Sequence, residues 1–105
     1  VTPDQADMVA FLRDRYADGI DNARAIGEAL VAREAVAHLG VSPEKAEERA
    51  REGLHAAETR ARFLNETVVP YLGTAGPTGR IADIQLWMLA DEHRGARGYS
   101  DDWRP

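Results

Sequence analysis

The sequence predicts an all-α protein: a long antiparallel helical hairpin, a third helix and an aromatic C-terminal tail, together one helical domain over residues 1–105. Three observations carry this. Apolar residues recur at alternating three- and four-residue spacings. Helix start and stop residues punctuate the chain at Thr2-Pro3, Gly40, Ser42-Pro43 and Pro70. No segment shows the strict apolar–polar alternation of a half-buried strand.

The first helical segment is expected over residues 2–39. Thr2 fits the N-cap, Pro3 the first helical position, and Gln5 the reciprocal partner of a capping box. The apolar stripe is Val9, Leu12, Tyr16, Ala23, Ile26, Leu30 and Ala37, widened by Met8, Phe11, Ile20 and Val31. Gly19 and Gly27 each cost about 1 kcal/mol relative to alanine, so Asp18-Gly19 is the expected break. Unbroken, the segment would run roughly 55 Å at 1.5 Å per residue. A compact domain of this size has a radius of gyration of only about 13 Å. The helix is therefore bent, or the molecule is elongated, or another chain covers its far end; two long helices and one short one leave part of the hairpin uncovered, which favours a homodimer forming a bundle.

Gly40 suits a left-handed helix end, and Ser42-Pro43-Glu44 starts the next helix. So short a connection makes the two helices antiparallel neighbours. The second helix is expected over 43–69, stopped by Pro70, because the residue before proline is steered from helical angles. Its stripe is Ala50, Leu54, Ala57, Ala61, Leu64 and Val68, and its alanines invite close approach. Glu47 and Arg51, and Glu58 and Arg62, are i,i+4 pairs on the outer face. Residues 73–79 read as a glycine-rich loop. The third helix, over 80–94, is apolar nearly all round its middle, which marks a central packing element or one with a partner.

Composition narrows function. The net charge is −5 and there is no cysteine, which removes disulfides, thiolate metal sites and cysteine nucleophiles. The charge is −3 over residues 1–40 and −1 over each of 41–70 and 71–105, so it is a mixed surface and not an acidic tail. No apolar run approaches the ~20 residues of a membrane span. The opening residues are acidic, unlike a secretory signal. The expectation is a soluble cytoplasmic protein without membrane contact.

Candidate chemistry is sparse. Glu52, His55 and Glu58 share a helical face in a Glu-x-x-His pattern, as in di-metal bundles. A bundle site needs a second such motif and two more glutamates, so a metal-dependent enzyme is the least supported reading. No metal, cofactor or catalytic residue is assigned. Ser42 and Ser100 are the only serines, and neither stands in a nucleophile elbow. His38, and His93 with Arg94, fit helix ends, where cations meet the negative dipole end. Arg49 and Arg60, and Arg51 and Arg62, are pairs eleven residues apart, each pair on one side of its helix. They are the candidate anion-binding residues and support an alternative reading as a nucleic-acid-associated regulator. Trp87, Tyr99, Trp103 and Arg104 are the candidate partner-binding residues, since tryptophan and arginine are enriched at interface hot spots. Tyr99 and Trp103 could equally fold back to close the bundle.

Both ends of the chain carry a resemblance. The opening Asp7-Met8-Val9-Ala10-Phe11-Leu12-Arg13-Asp14-Arg15, with Asn22-Ala23-Arg24-Ala25 beyond it, is similar to the first helix of a family of small actinobacterial and actinophage proteins of unknown function. The closing Tyr99-Ser100-Asp101-Asp102-Trp103-Arg104-Pro105 resembles that family's usual ending. The likeness covers roughly the first 25 and last 20 residues; the middle lacks the longer insert of many members. Twelve arginines against one lysine, with abundant alanine, suit a GC-rich source. The resemblance implies no activity or site residue. The leading expectation is a non-enzymatic protein-interaction or accessory module of an actinobacterium or its phage, with a protein partner or a second copy of itself.

Overall fold

The computed structural model describes residues 1–104, and all side chains among them except that of Ala35. Pro105, the last residue of the C-terminal motif, lies outside the described residues. The described residues are all-α, with four α-helices and no strand. These are α1 (Pro3–Val31), α2 (Arg33–Leu39), α3 (Pro43–Arg62) and α4 (Pro77–Asp91). A π-helical turn, Phe63–Val68, and a 3-10 turn, Val69–Tyr71, continue from α3. Among the described residues no helix is long and apolar enough to cross a membrane. Packing groups the chain into two compact units, one from residues 1–15 and 61–105, the other from residues 16–60.

The first unit holds most of the sealed core. Met8, Val9, Phe11 and Leu12 of α1 are buried, as are Leu64, Val68, Leu72, Leu86 and Trp103. Its first helix starts as the sequence requires. Thr2 Oγ1 accepts the Gln5 amide at 3.1 Å, and Gln5 Oε1 accepts the Thr2 amide at 3.0 Å. The other end of the Gln5 side chain reaches α4, where Nε2 donates to Asp83 Oδ1 at 2.6 Å. One residue therefore caps α1 and fastens it to α4. Arg13 Nε adds a second tie, donating to Asn65 Oδ1 at 2.9 Å.

The chain passes Pro70 without stopping at Val69. Val69 keeps helical angles (φ −55°, ψ −44°), contrary to the expected pre-proline break. The π turn explains this. It pairs the Val69 amide with the Leu64 carbonyl, five residues back. Pro70 follows at the change to the 3-10 turn, where it supplies no amide to the ladder. Asn65 Nδ2 and Thr67 Oγ1 meanwhile donate to the carbonyls of Ala61 and Phe63, a side-chain competition that often distorts helices. Arg62 turns forward to Glu66, with Nε 3.3 Å from Oε1, rather than back to Glu58.

α4 begins earlier than composition suggests. Of the expected 73–79 loop, residues 73–76 lie outside helix, and Pro77 takes a first-turn position behind Gly76. Gly79 is buried in that turn against the Thr74 backbone. The helix also ends earlier, at Asp91. His93 and Arg94 lie in the following turns, with amides on the carbonyls of Ala90 and Asp91.

The second unit contains the hairpin proper. Gly40 closes α2 in the left-handed region (φ 66°), and Ser42 Oγ accepts the Lys45 amide at 3.2 Å to start α3. Gly27 of α1 meets Ala50 of α3 closely. A Cβ built on Gly27 would lie 3.2 Å from the Ala50 Cβ and 3.6 Å from its Cα. The expected close approach is thus present, with Gly27 as well as alanine permitting it. Ile26 faces away and is 58% exposed, although the periodicity placed it in the stripe.

The break in the first segment is not at Gly19. α1 runs through Gly19 and ends at Val31, and Ala32 turns the chain with φ −58° and ψ 136°. Ala32 still donates to the Glu28 carbonyl and accepts from the Val36 amide, so the interruption sacrifices little hydrogen bonding. Gly19 has no neighbour within 4 Å of a would-be Cβ. A cost of about 1 kcal/mol is too small to break a helix continued on both sides. Gly53 in α3 is equally open. Gly19→Ala and Gly53→Ala are each expected to raise stability by about 0.5–1 kcal/mol, read as a higher urea midpoint with an unchanged slope. A lower midpoint for Gly19→Ala would show that the glycine is a hinge after all.

Candidate interaction surface

α4 is apolar on two opposite sides, and only one is covered. Gly79, Ala82, Leu86 and Ala90 return to one side of the helix and are buried. Ile81, Ile84 and Met88, at i, i+3 and i+7, lie on the other. They are 56%, 47% and 57% exposed. The apolar middle read from the sequence is therefore half core and half surface. Phe63 and Tyr71 are further exposed apolar side chains of the same unit.

Beyond α4 the chain folds back as an aromatic cap. Trp103 is buried, at 4% exposure. Its ring lies edge-to-face with Phe11 at 5.3 Å and with Tyr99 at 5.2 Å between centroids. Phe11 also meets Tyr99 and His93, each at 6.1 Å. Trp87 Nε1 donates to the Trp103 carbonyl at 3.2 Å, joining the tail to α4. The tail's own turns close it. Ser100 Oγ accepts the Asp102 amide, and one Arg104 nitrogen donates to the carbonyls of Asp101 and Trp103 at 2.6 and 2.7 Å.

Asp91 organises the polar edge of this cap. Its Oδ1 accepts Arg94 through Nε at 2.9 Å and through a terminal nitrogen at 2.5 Å, and the Tyr99 hydroxyl at 3.2 Å. The hydrogen bonds Arg94 donates to Asp91, then the Asp91 charge, push the Arg94 guanidinium above its ordinary pKa. Trp87, Arg94, Tyr99, Asp101 and Arg104 line a hollow of about 380 Å³.

Of the predicted partner-binding residues, Trp87 and Tyr99 are half-buried, Trp103 is core and Arg104 is exposed. The bare strip of Ile81, Ile84 and Met88 lies outside the residues expected to bind a partner. Its only sequence signal was the all-round hydrophobicity of α4. The predicted anion-binding residues Arg49, Arg51, Arg60 and Arg62 are all exposed. Helical geometry separates them: Arg49 and Arg51 project about 200° apart at 3.6 residues per turn. Arg49, Arg51 and Arg60 belong to the second unit and Arg62 to the first. Glu52 and His55 are exposed and Glu58 is half-buried. Among the described residues no three histidine or carboxylate side chains are grouped to hold a metal ion.

No family model, curated protein or solved structure matches this chain.

Proposed function

We propose that this chain is a non-enzymatic protein-interaction module of an actinobacterium or its phage, acting in the cytoplasm as a homodimer. The observation that carries the reading is the uncovered strip of Ile81, Ile84 and Met88 on a helix whose opposite side is sealed core. The strip spans about 10 Å, close to two helical turns. That length and the i, i+3, i+7 spacing suit an amphipathic helix of a partner protein. Met88 adds an adaptable, polarizable contact. The resemblance at the two chain ends supports the assignment to an actinobacterial or phage source.

The test is affinity capture from an actinobacterial lysate with the wild-type chain and with Ile84→Glu/Met88→Glu. Both positions are exposed, so the variant keeps its helical circular dichroism. A protein retained by the wild type and lost from the variant supports the reading. Identical recovery by both would remove the α4 strip as the docking surface.

A further inference from the structure

The unit of residues 16–60 has almost no interior. Among its described residues only Tyr16, Gly27 and Ala46 are buried. Ile20, Ala23, Leu30, Ala50, Leu54 and Ala57, members of the apolar stripes that pair the hairpin, are only half-covered, and Ala37 is exposed. Apolar side chains left this open along both helices of the hairpin offer a surface to a partner.

An open apolar groove of about 280 Å³ runs between α1 and α3. Gly27 and Ala50 are its floor, and Val31 and Leu54 stand beside them. The floor is shallow because the two helices meet there nearly backbone to backbone, which leaves room for larger side chains from outside. The rim carries both signs of charge. Glu28 borders the groove on α1 and Arg51 on α3. Arg24, also on α1, is turned to Asp21 at 4.0 Å. A surface with acid on one helix and base on the other is complementary to itself under a twofold rotation.

We propose that this groove takes a second copy of the chain. α1 of one copy lies over α3 of the other, and Glu28 of each meets Arg51 of the partner subunit. The four helices then form a bundle whose apolar middle is the pair of grooves. This rests on the homodimeric part of the proposed function and not on the α4 strip.

The test is the solution mass by sedimentation equilibrium across the micromolar range. The wild type is expected at twice the chain mass. Glu28→Arg places arginine against Arg51 twice in each dimer, and Arg51→Glu places glutamate against Glu28 twice. Each is expected to weaken association by about tenfold or more. Both side chains are exposed, so each variant keeps its helical circular dichroism. An equimolar mixture of the two variants restores both opposite-charge pairs, and dimer at the wild-type level is expected. An intrachain role for these charges cannot produce that recovery. A wild type that stays monomeric, single variants that associate normally, or a mixture that fails to recover would each overturn the proposal. Single variants that associate normally would remove the groove as the seam and leave the homodimer standing, a monomeric wild type would remove both, and capture through α4 is read on separate variants.

Discussion

Gly79→Ala is expected to destabilise the protein by about 3 kcal/mol, at the upper end of overpacking substitutions. In an open helix position the same change stabilises, by about 1 kcal/mol. The reversal comes from Thr74. A Cβ at Gly79 would overlap the Thr74 carbonyl oxygen and lie 2.8 Å from its carbonyl carbon. The obstacle is main chain, so no rotamer change relieves it. Either the first turn of α4 unwinds or the 73–76 loop moves outward, and both disturb the helix carrying Ala82 and Leu86 into the core. Urea unfolding of Gly79→Ala beside Gly19→Ala measures the contrast, because one sign is expected to be opposite to the other. Equal midpoints for the two variants would refute the close contact.

Trp103→Ala carries the second large effect. The indole is buried against Phe11 and Tyr99, and the carbonyl of the same residue accepts the Trp87 indole N–H. Truncating a buried tryptophan costs about 3–5 kcal/mol. The tail can partly collapse onto Phe11, so a loss of about 3 kcal/mol is expected. Trp103→Phe keeps an aromatic edge on Phe11 and is expected to lose about half as much. Chemical denaturation reads both, and near-ultraviolet circular dichroism of the alanine variant reports whether Trp87 loses its fixed environment. A Trp103→Ala protein as stable as the wild type would mean that the tail is not part of the core in solution.

The helices were legible because their signals are local. Thr2, Gln5, Gly40 and Ser42 act through neighbours a few residues away, and each does what its type and position suggested. The α3 stripe likewise leads through half-buried Ala50, Leu54, Ala57 and Ala61 to buried Leu64 and Val68. The misplaced boundaries had nonlocal or marginal causes. A helical break at Ala32 follows no glycine or proline. The passage over Pro70 depends on a π turn set by hydrogen bonds, not by the proline alone. Ile26 and the outer side of α4 show a further limit. Periodicity reports which residues share a side of a helix, but not whether anything lies opposite. That is why the all-round hydrophobicity of α4 marks it as core or partnered without telling which side is bare, and why the tail's tryptophan reads as anchor or as core. The groove of residues 16–60 was legible only as an excess of hairpin over chain.

The composition of the two units has a consequence for how the chain acquires its structure. The hairpin unit is one uninterrupted stretch, residues 16–60. The other joins residues 1–15 to residues 61–105. As the polypeptide emerges from the ribosome, α1 to α3 can assemble from near-neighbour contacts, whereas Phe11 must wait for Trp103, far later in the sequence. Pairing distant segments slows folding, because loop closure precedes the contacts that reward it. The core therefore closes only once Trp103 has been made, with Phe11 uncovered until then. In that interval the nascent chain is at its most vulnerable to proteases and to misassociation.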